Sequence, residues 1–272
     1  MRTHATGPAH AIITGGSRGI GLATAAGLVT RGFAVTLIAR NQDRLEQARL
    51  HLTSTSPGEA RVAAISADVG DEVALRRAID QSIDQFGPPA WAVSCAGIVK
   101  PGLFLDLSLE DHLAQLRTNY IGSLYFAHIV IPRMVDGGHL VFVATGAAIV
   151  GIYGYSGYGA SKFAVRGLAE VLRVELMGRG IIVTLVHPPD TDTPQLAAEE
   201  KTRPEATRRI SGAAGVWEPK DVAAALIQGA RAGRFIVAPG WQLGVLASIH
   251  SIISPAFRFY QQHVASRTSH AP

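Results

Sequence analysis

Short apolar runs rich in β-branched residues alternate along the chain with longer stretches of helical periodicity. The apolar runs predict strands at Ala11 to Thr14, Ala34 to Ala39, Arg61 to Ser66, Ala90 to Ser94, His139 to Thr145, Ile181 to His187 and Arg234 to Ala238. Runs such as VTLIA and IIVTLV are apolar on both faces, which suits strands covered by helices above and below. The periodic stretches predict helices over Gly19 to Thr30, Asn41 to Thr53, Asp71 to Phe86, Leu109 to Met134, Ser156 to Met177 and Glu218 to Ala232. Gly87-Pro88-Pro89 and Gly137-Gly138 punctuate helix-to-strand returns. Seven strands joined by helical crossovers imply one α/β domain spanning 1–272, a doubly wound parallel sheet with helices on both faces.

Two stretches depart from this rhythm. Between Asp190 and Trp217 the periodicity gives way to a polar run dense in Thr, Glu, Arg and Pro. It is too long for an ordinary connection and reads as a lid. From Phe235 to Phe257 there is no Asp, Glu, Lys or Arg, yet Pro239, Gly240, Gln242, Ser248, His250 and Ser251 make it a poor spanning helix. Three uses stay open: resting on a membrane surface, walling a channel for an acyl chain, or packing in a subunit interface.

Composition narrows the classes. Hydrophobic residues make up 47% and charged ones 17% of 272 residues, a globular texture that excludes disorder for the body. Net charge is +4, but the 25 basic residues are interleaved with 21 acids rather than gathered in a stripe, which argues against a nucleic-acid partner. The ten histidines are too dispersed for metal-ligand spacing, so no metal is expected. His187 and Trp217 are expected to pack near the pocket mouth. Cys95 is the only cysteine, which rules out an intrachain disulfide and fits a reducing, cytoplasmic setting. The opening MRTHATGPAH has no apolar signal-peptide core and reads as a frayed leader.

Candidate chemistry begins at IITGGSRGIGLATAAG, which places Gly15, Gly16, Gly19 and Gly21 after the first strand and at the opening of the first helix. Glycines there let the backbone approach a pyrophosphate, while the helix N-terminus offers free N–H groups and partial positive charge. NAD-binding folds of this kind place an acid about 20 residues on. Here Arg40 stands 19 residues beyond Gly21, and Arg18 lies within the loop. Two guanidiniums at that spacing predict a ribose 2′-phosphate, and so NADPH.

The stretch from Val143 to Ala164 carries Tyr153, Tyr155 and Tyr158. A free phenol titrates near 10 and needs help to exchange protons at neutrality. Lys162 follows Tyr158 by four residues, on the same helical face, and a nearby ammonium would lower the phenol's pKa. Tyr153 and Tyr155 lack such a partner and read as pocket wall or packing.

This combination resembles the short-chain dehydrogenase/reductase family across nearly the whole chain. The matching pieces, in order, are TGGSRGIG, ADV at Ala67 to Val69, CAG at Cys95 to Gly97, Asn119 in TNYIGS, YGASK at Tyr158 to Lys162, and HPPDTDTP at His187 to Pro194. The resemblance implies a Rossmann fold with Tyr158 as general acid/base, Lys162 on the nicotinamide ribose and Asn119 holding a water in a proton relay. It implies a cofactor site built from Gly15, Ser17, Arg18, Gly19, Ile20 and Gly21 of the loop, then Arg40, Asp68 against the adenine, and Val69. Further along, Ala96, Gly97, Tyr158, Lys162, Pro188 and Thr191 join it, with Thr193 beside the nicotinamide amide or the phosphates. The family's substrate-orienting serine is replaced by Thr145, whose hydroxyl can donate the same hydrogen bond while its methyl stiffens the side chain. Cys95 replaces the family's asparagine, and Pro188-Pro189 replaces its Pro-Gly at the cost of a donor N–H.

CAG, SKFAVRGLAE, HPPDTDTP and AAEEKTRPEATRRISG look like one branch, the 3-dehydrosphinganine reductases. That resemblance implies NADPH-dependent reduction of a long-chain 3-keto sphingoid base, in a homodimer or homotetramer. Two alternatives stay open: an enzyme for another hydrophobic ketone or alcohol such as a steroid or 3-oxoacyl compound, and a catalytically silent NADPH-binding protein.

Overall fold

The computed structural model describes residues 9–56, 60–211, 215–240, 244 and 256–267. The N-terminal leader and most of the uncharged stretch after Gly240 lie outside these residues. Seven strands form one sheet: β1 (His10–Thr14), β2 (Ala34–Ala39), β3 (Val62–Ser66), β4 (Pro89–Ser94), β5 (His139–Val143), β6 (Ile182–Val186) and, at the edge, β9 (Ile236–Val237). Their order is β3-β2-β1-β4-β5-β6-β9, and every pairing is parallel. The short β7 (Asp190–Thr191) and β8 (Val216–Trp217) pair with each other, apart from the main sheet.

Strand alternation sends the two faces into two cores. Ile12, Ile38, Ile65, Phe142 and Leu185 pack beneath α3 (Glu72–Phe86), α5 (Gly122–Val130) and α6 (Ser156–Glu175). Ile13, Leu37, Trp91 and Val141 pack beneath α1 (Gly19–Val29), α2 (Gln42–Thr55) and α9 (Pro219–Arg231). Both faces are therefore buried, which is why the strands read as continuous apolar runs.

Local signals set the helix starts. The Asn41 side chain accepts from Arg44 N–H at 2.8 Å, so Asn41 is the cap of α2 rather than its first residue. The Asp71 carboxylate accepts from Val73 and Ala74 N–H, both at 3.0 Å, to open α3. Ser108 and Asp111 form a capping box at the start of α4 (Leu109–Leu116).

The single helix expected from Leu109 to Met134 is interrupted. Between α4 and α5 the chain makes a π-turn over Arg117–Ile121, and a short 3-10 turn with Pro132 ends the segment at Arg133. The π-turn has a physical reason in Asn119, whose amide binds main chain of a neighbouring loop, as described below. Close packing also contributes, because a Cβ on Gly122 would lie 2.6 Å from Val69 Cγ2.

The stretch read as a lid is ordered into α7 (Pro194–Glu199) and α8 (Glu205–Ser211), bracketed by the β7–β8 pair. Thr193 caps α7 by accepting from Leu196 N–H at 3.2 Å, and Pro194 takes its first position.

Candidate active site

The sheet order reverses at β1, so the loops after β1 and β4 part and leave a crevice above the strand ends. Thr14 pins the two loops there: its hydroxyl oxygen accepts from Cys95 N–H at 3.2 Å and Ala96 N–H at 3.3 Å. Gly15 turns away with φ of +69°, and a Cβ on it would lie 2.8 Å from Ala96 N. A Cβ on Gly21 would lie 2.4 Å from Gly15 O, so the loop closes onto α1 only with glycine there. Arg18 occupies the cap position of α1 in extended conformation and makes no side-chain cap bond. The first N–H groups of that helix are left to face an anion.

A cavity of about 560 Å³ runs from this loop to the lid. Every cofactor residue expected from the sequence lines it: the loop residues Gly15 to Gly21 apart from Gly16, then Arg40, Asp68, Val69, Ala96, Gly97, Tyr158, Lys162, Pro188, Thr191 and Thr193. Gly16 instead packs inward on Leu37. Thr193 closes over the loop, so that a Cβ on Gly19 would lie 2.9 Å from its Cγ2. At one end the guanidiniums of Arg18, Arg40 and Arg44 line the cavity. Arg40 Nη1 is 3.9 Å from Asp68 Oδ2, with both side chains about half exposed, while Asp68 Oδ1 accepts from Gly70 N–H at 2.8 Å. Sequence reasoning missed Arg44; the signal was its place one helical turn beyond Arg40. The glycine cradle and free helix N–H groups fit the pyrophosphate of a dinucleotide, and three exposed guanidiniums stand beside them.

At the other end, Thr145, Tyr158 and Lys162 converge on the cavity. The Thr145 hydroxyl lies near enough to the Tyr158 phenol to favour its ionised form. Lys162, buried, donates to Val143 O at 2.9 Å, and a Cβ on Gly97 would lie 3.4 Å from its Nζ. Asn119 does not line the cavity. It sits fully buried behind it, accepting from Ile98 N–H at 2.8 Å and donating to Ile98 O and Ser161 Oγ, both at 2.9 Å. This grip explains the π-turn: an extra residue in the turn swings Asn119 toward the β4 loop.

The expectation that Lys162 lowers the Tyr158 pKa is corrected. Burial, followed by the nearby Glu199 carboxylate, pushes the phenol well above its usual value, and the nearby Thr145 hydroxyl only partly offsets this. Burial also lowers Lys162 to about 8, so desolvation dominates at both groups and Lys162 is not among the causes that shift the phenol. Cys95 is pushed up to about 11 by burial, against the pull of Lys162 and Gly21 N–H, and stays a neutral thiol at neutrality.

The lid supplies a cluster that sequence reasoning did not find. Tyr155, expected only to wall the pocket or pack, donates its phenol to Glu199 Oε1 and accepts from Arg203 Nε at 2.9 Å. Its ring meets that of Tyr158 edge-on at 5.5 Å. The Arg203 side chain, only 3% exposed, reaches Asp190 Oδ2 at 2.9 Å, Glu199 Oε1 at 2.8 Å and Glu200 Oε1 at 2.6 Å. Burial raises the Glu199 pKa. The four-residue spacing of Glu199 and Arg203 was visible, but nothing local showed that the pair folds inward. Tyr153 is tied by its main chain to Thr207 and Gln261 and does not line the cavity. His187 is buried, donating from Nδ1 to Thr145 O at 2.7 Å. Neither His187 nor Trp217 lines the cavity.

Comparison with known proteins agrees with this geometry. The family model described as short chain dehydrogenase matches residues 9–204. A 3-ketodihydrosphingosine reductase of Bos taurus is 38% identical over 251 residues, 91% of this chain and 76% of the relative. A 3-dehydrosphinganine reductase of Danio rerio is 36% identical over the same shares. An actinorhodin polyketide ketoreductase variant solved with NADPH superposes with a TM-score of 0.77 at 26% identity, covering 87% of this chain and 97% of its own.

Proposed function

The chain belongs to the short-chain dehydrogenase family, and on that premise we propose that it reduces the ketone of a long-chain 3-keto sphingoid base to a secondary alcohol with NADPH. The observation that carries this reading is the convergence of Thr145, Tyr158 and Lys162 on one end of a cavity whose other end is lined by the glycine loop, Arg18, Arg40 and Arg44. The bound dinucleotide would supply a hydride to the carbonyl carbon; the rest is work for this chain's own side chains. Thr145 and Tyr158 meet the oxygen as negative charge grows there, and donors fixed in place for that charge are worth about 3 to 4 kcal/mol each. Tyr158 then gives up its proton. A raised pKa keeps that proton in place at neutral pH, which favours the reduction direction. Lys162 binds the cofactor ribose from its anchor on Val143 O, and Asn119 holds the relay behind it.

Arg18, Arg40 and Arg44 support the choice of NADPH. Phe257 lines the cavity, and Gln261 donates to Gly151 O at 2.8 Å. Of the three uses for the uncharged C-terminal stretch, these contacts favour a wall for the acyl chain, with peripheral membrane contact as the route of entry. Among the described residues no helix is long and apolar enough to cross a membrane. The lone cysteine supports a reducing, cytoplasmic setting, and the family resemblance supports a homo-oligomer. The test is a panel of 3-keto sphingoid, steroid and 3-oxoacyl ketones given to purified protein with NADPH or NADH. Fastest turnover of the sphingoid ketone with NADPH is expected; preference for another ketone, or for NADH, would overturn the corresponding part.

A further inference from the structure

The proposed substrate carries an amine on the carbon next to its ketone, and the lid faces that position with excess negative charge. Resting on the reading above, we infer that Glu199, with Asp190 behind it, is the specificity-determining group that holds the substrate's ammonium. Asp190, Glu199 and Arg203 are the charged residues that the lid contributes to the cavity wall, two carboxylates to one guanidinium. Including Glu200 and its partner Arg208, the network has three carboxylates against two guanidiniums, so one negative charge is uncompensated within it.

Glu199 has the means to take a cation. Its carboxylate is 9% exposed, and the bonds from Tyr155 and Arg203 all fall on Oε1. Oε2 is left open on a residue that lines the cavity. Asp190 spends both oxygens on Arg203, so Glu199 is the one that receives the ligand. Position also agrees. Glu199 and Asp190 both act on the Tyr158 phenol through space, and the edge-on Tyr155 ring bridges Tyr158 to Glu199. A carbonyl oxygen seated between Thr145 and Tyr158 would therefore place an adjacent ammonium near that carboxylate. Anchoring the oxygen at one point and the ammonium at another, with the tail leaving in a third direction, fixes which face of the ketone is presented.

The test uses full-length protein loaded with NADP and two probes, a short-tailed 2-amino-1,3-diol and the same 1,3-diol without the amine, bound in a calorimeter at neutral pH. A charge-assisted bond predicts that the amine binds tighter by on the order of tenfold or more. Glu199→Gln is expected to erase that preference while leaving affinity for the amine-free diol unchanged. Equal binding of the two probes by wild type would overturn the inference, as would a folded variant that keeps the preference. The wild-type comparison needs no variant, so a folding defect in Glu199→Gln does not decide the matter. If the substrate reading itself is wrong, neither diol binds, and the inference falls with it; if only the inference is wrong, both bind alike.

Discussion

At one end of the cavity three guanidiniums stand in solvent, and at the other a single guanidinium is buried among carboxylates. Arg40 is 63% exposed and 3.9 Å from its nearest acid, whereas Arg203 is 3% exposed and holds three carboxylates within 2.9 Å. The first arrangement costs little to keep open and gains from a ligand's charge. The second has already been desolvated, so removing its guanidinium would leave buried carboxylates unpaired. The difference separates binding from order: the basic end is open to a charged ligand, and the acidic end ties the segments around Asp190, Glu199 and Arg203 together.

The largest effect should come from breaking the buried side. Arg203→Met leaves Glu199 and Asp190 uncompensated and is expected to cost about 3 to 5 kcal/mol. Urea unfolding together with hydrogen exchange over residues 190–211 would read it. Arg40→Met, on the exposed side, should change stability by less than about 0.5 kcal/mol. Equal losses at the two sites would dissolve the contrast.

Acid should act next, through groups the comparison leaves out. Burial lowers His187, under Thr145, and His10, at the far end of β1, from 6.5 to about 4. Below pH 6.5 the unfolded chain takes up protons that the native imidazoles refuse, so stability falls as pH drops from 6.5 toward 4. Each site should lose about 3 kcal/mol over that window. Thermal melting at pH 7 and at pH 4.5 would show it, and an unchanged Tm would contradict it.

Smaller effects belong to the basic end. Arg40→Ala should raise KM for NADPH about tenfold and leave KM for NADH unchanged. Arg44→Ala should raise it about threefold, an effect that added salt diminishes because the group is exposed. A variant that raises both KM values equally would show that these side chains do not read the extra phosphate.

Legibility in the sequence followed the range of the contacts. The strands, the glycine loop, Arg40 and the Tyr158–Lys162 spacing are local patterns: the strands form the expected parallel sheet, and the loop, Arg40, Tyr158 and Lys162 line one cavity. What was not legible depends on distant partners. Asn119 breaks a helix because it binds Ile98 and Ser161, which lie 21 and 42 residues away. Tyr155 meets Glu199 across 44 residues of chain, through a lid whose polar composition gave no sign of folding inward. The raised Tyr158 pKa is illegible for the same reason: spacing reveals a lysine four residues on, but neither the burial nor the distant Glu199 that act on the phenol.

The account stands most directly on the proton carried by Tyr158. NADPH oxidation by wild type and Tyr158→Phe with a 3-keto long-chain amine, alongside NADPH affinity for both, tests it in one preparation. Turnover should fall by about 10²- to 10⁴-fold with cofactor affinity nearly intact. A phenylalanine variant that keeps the wild-type kcat would contradict the account.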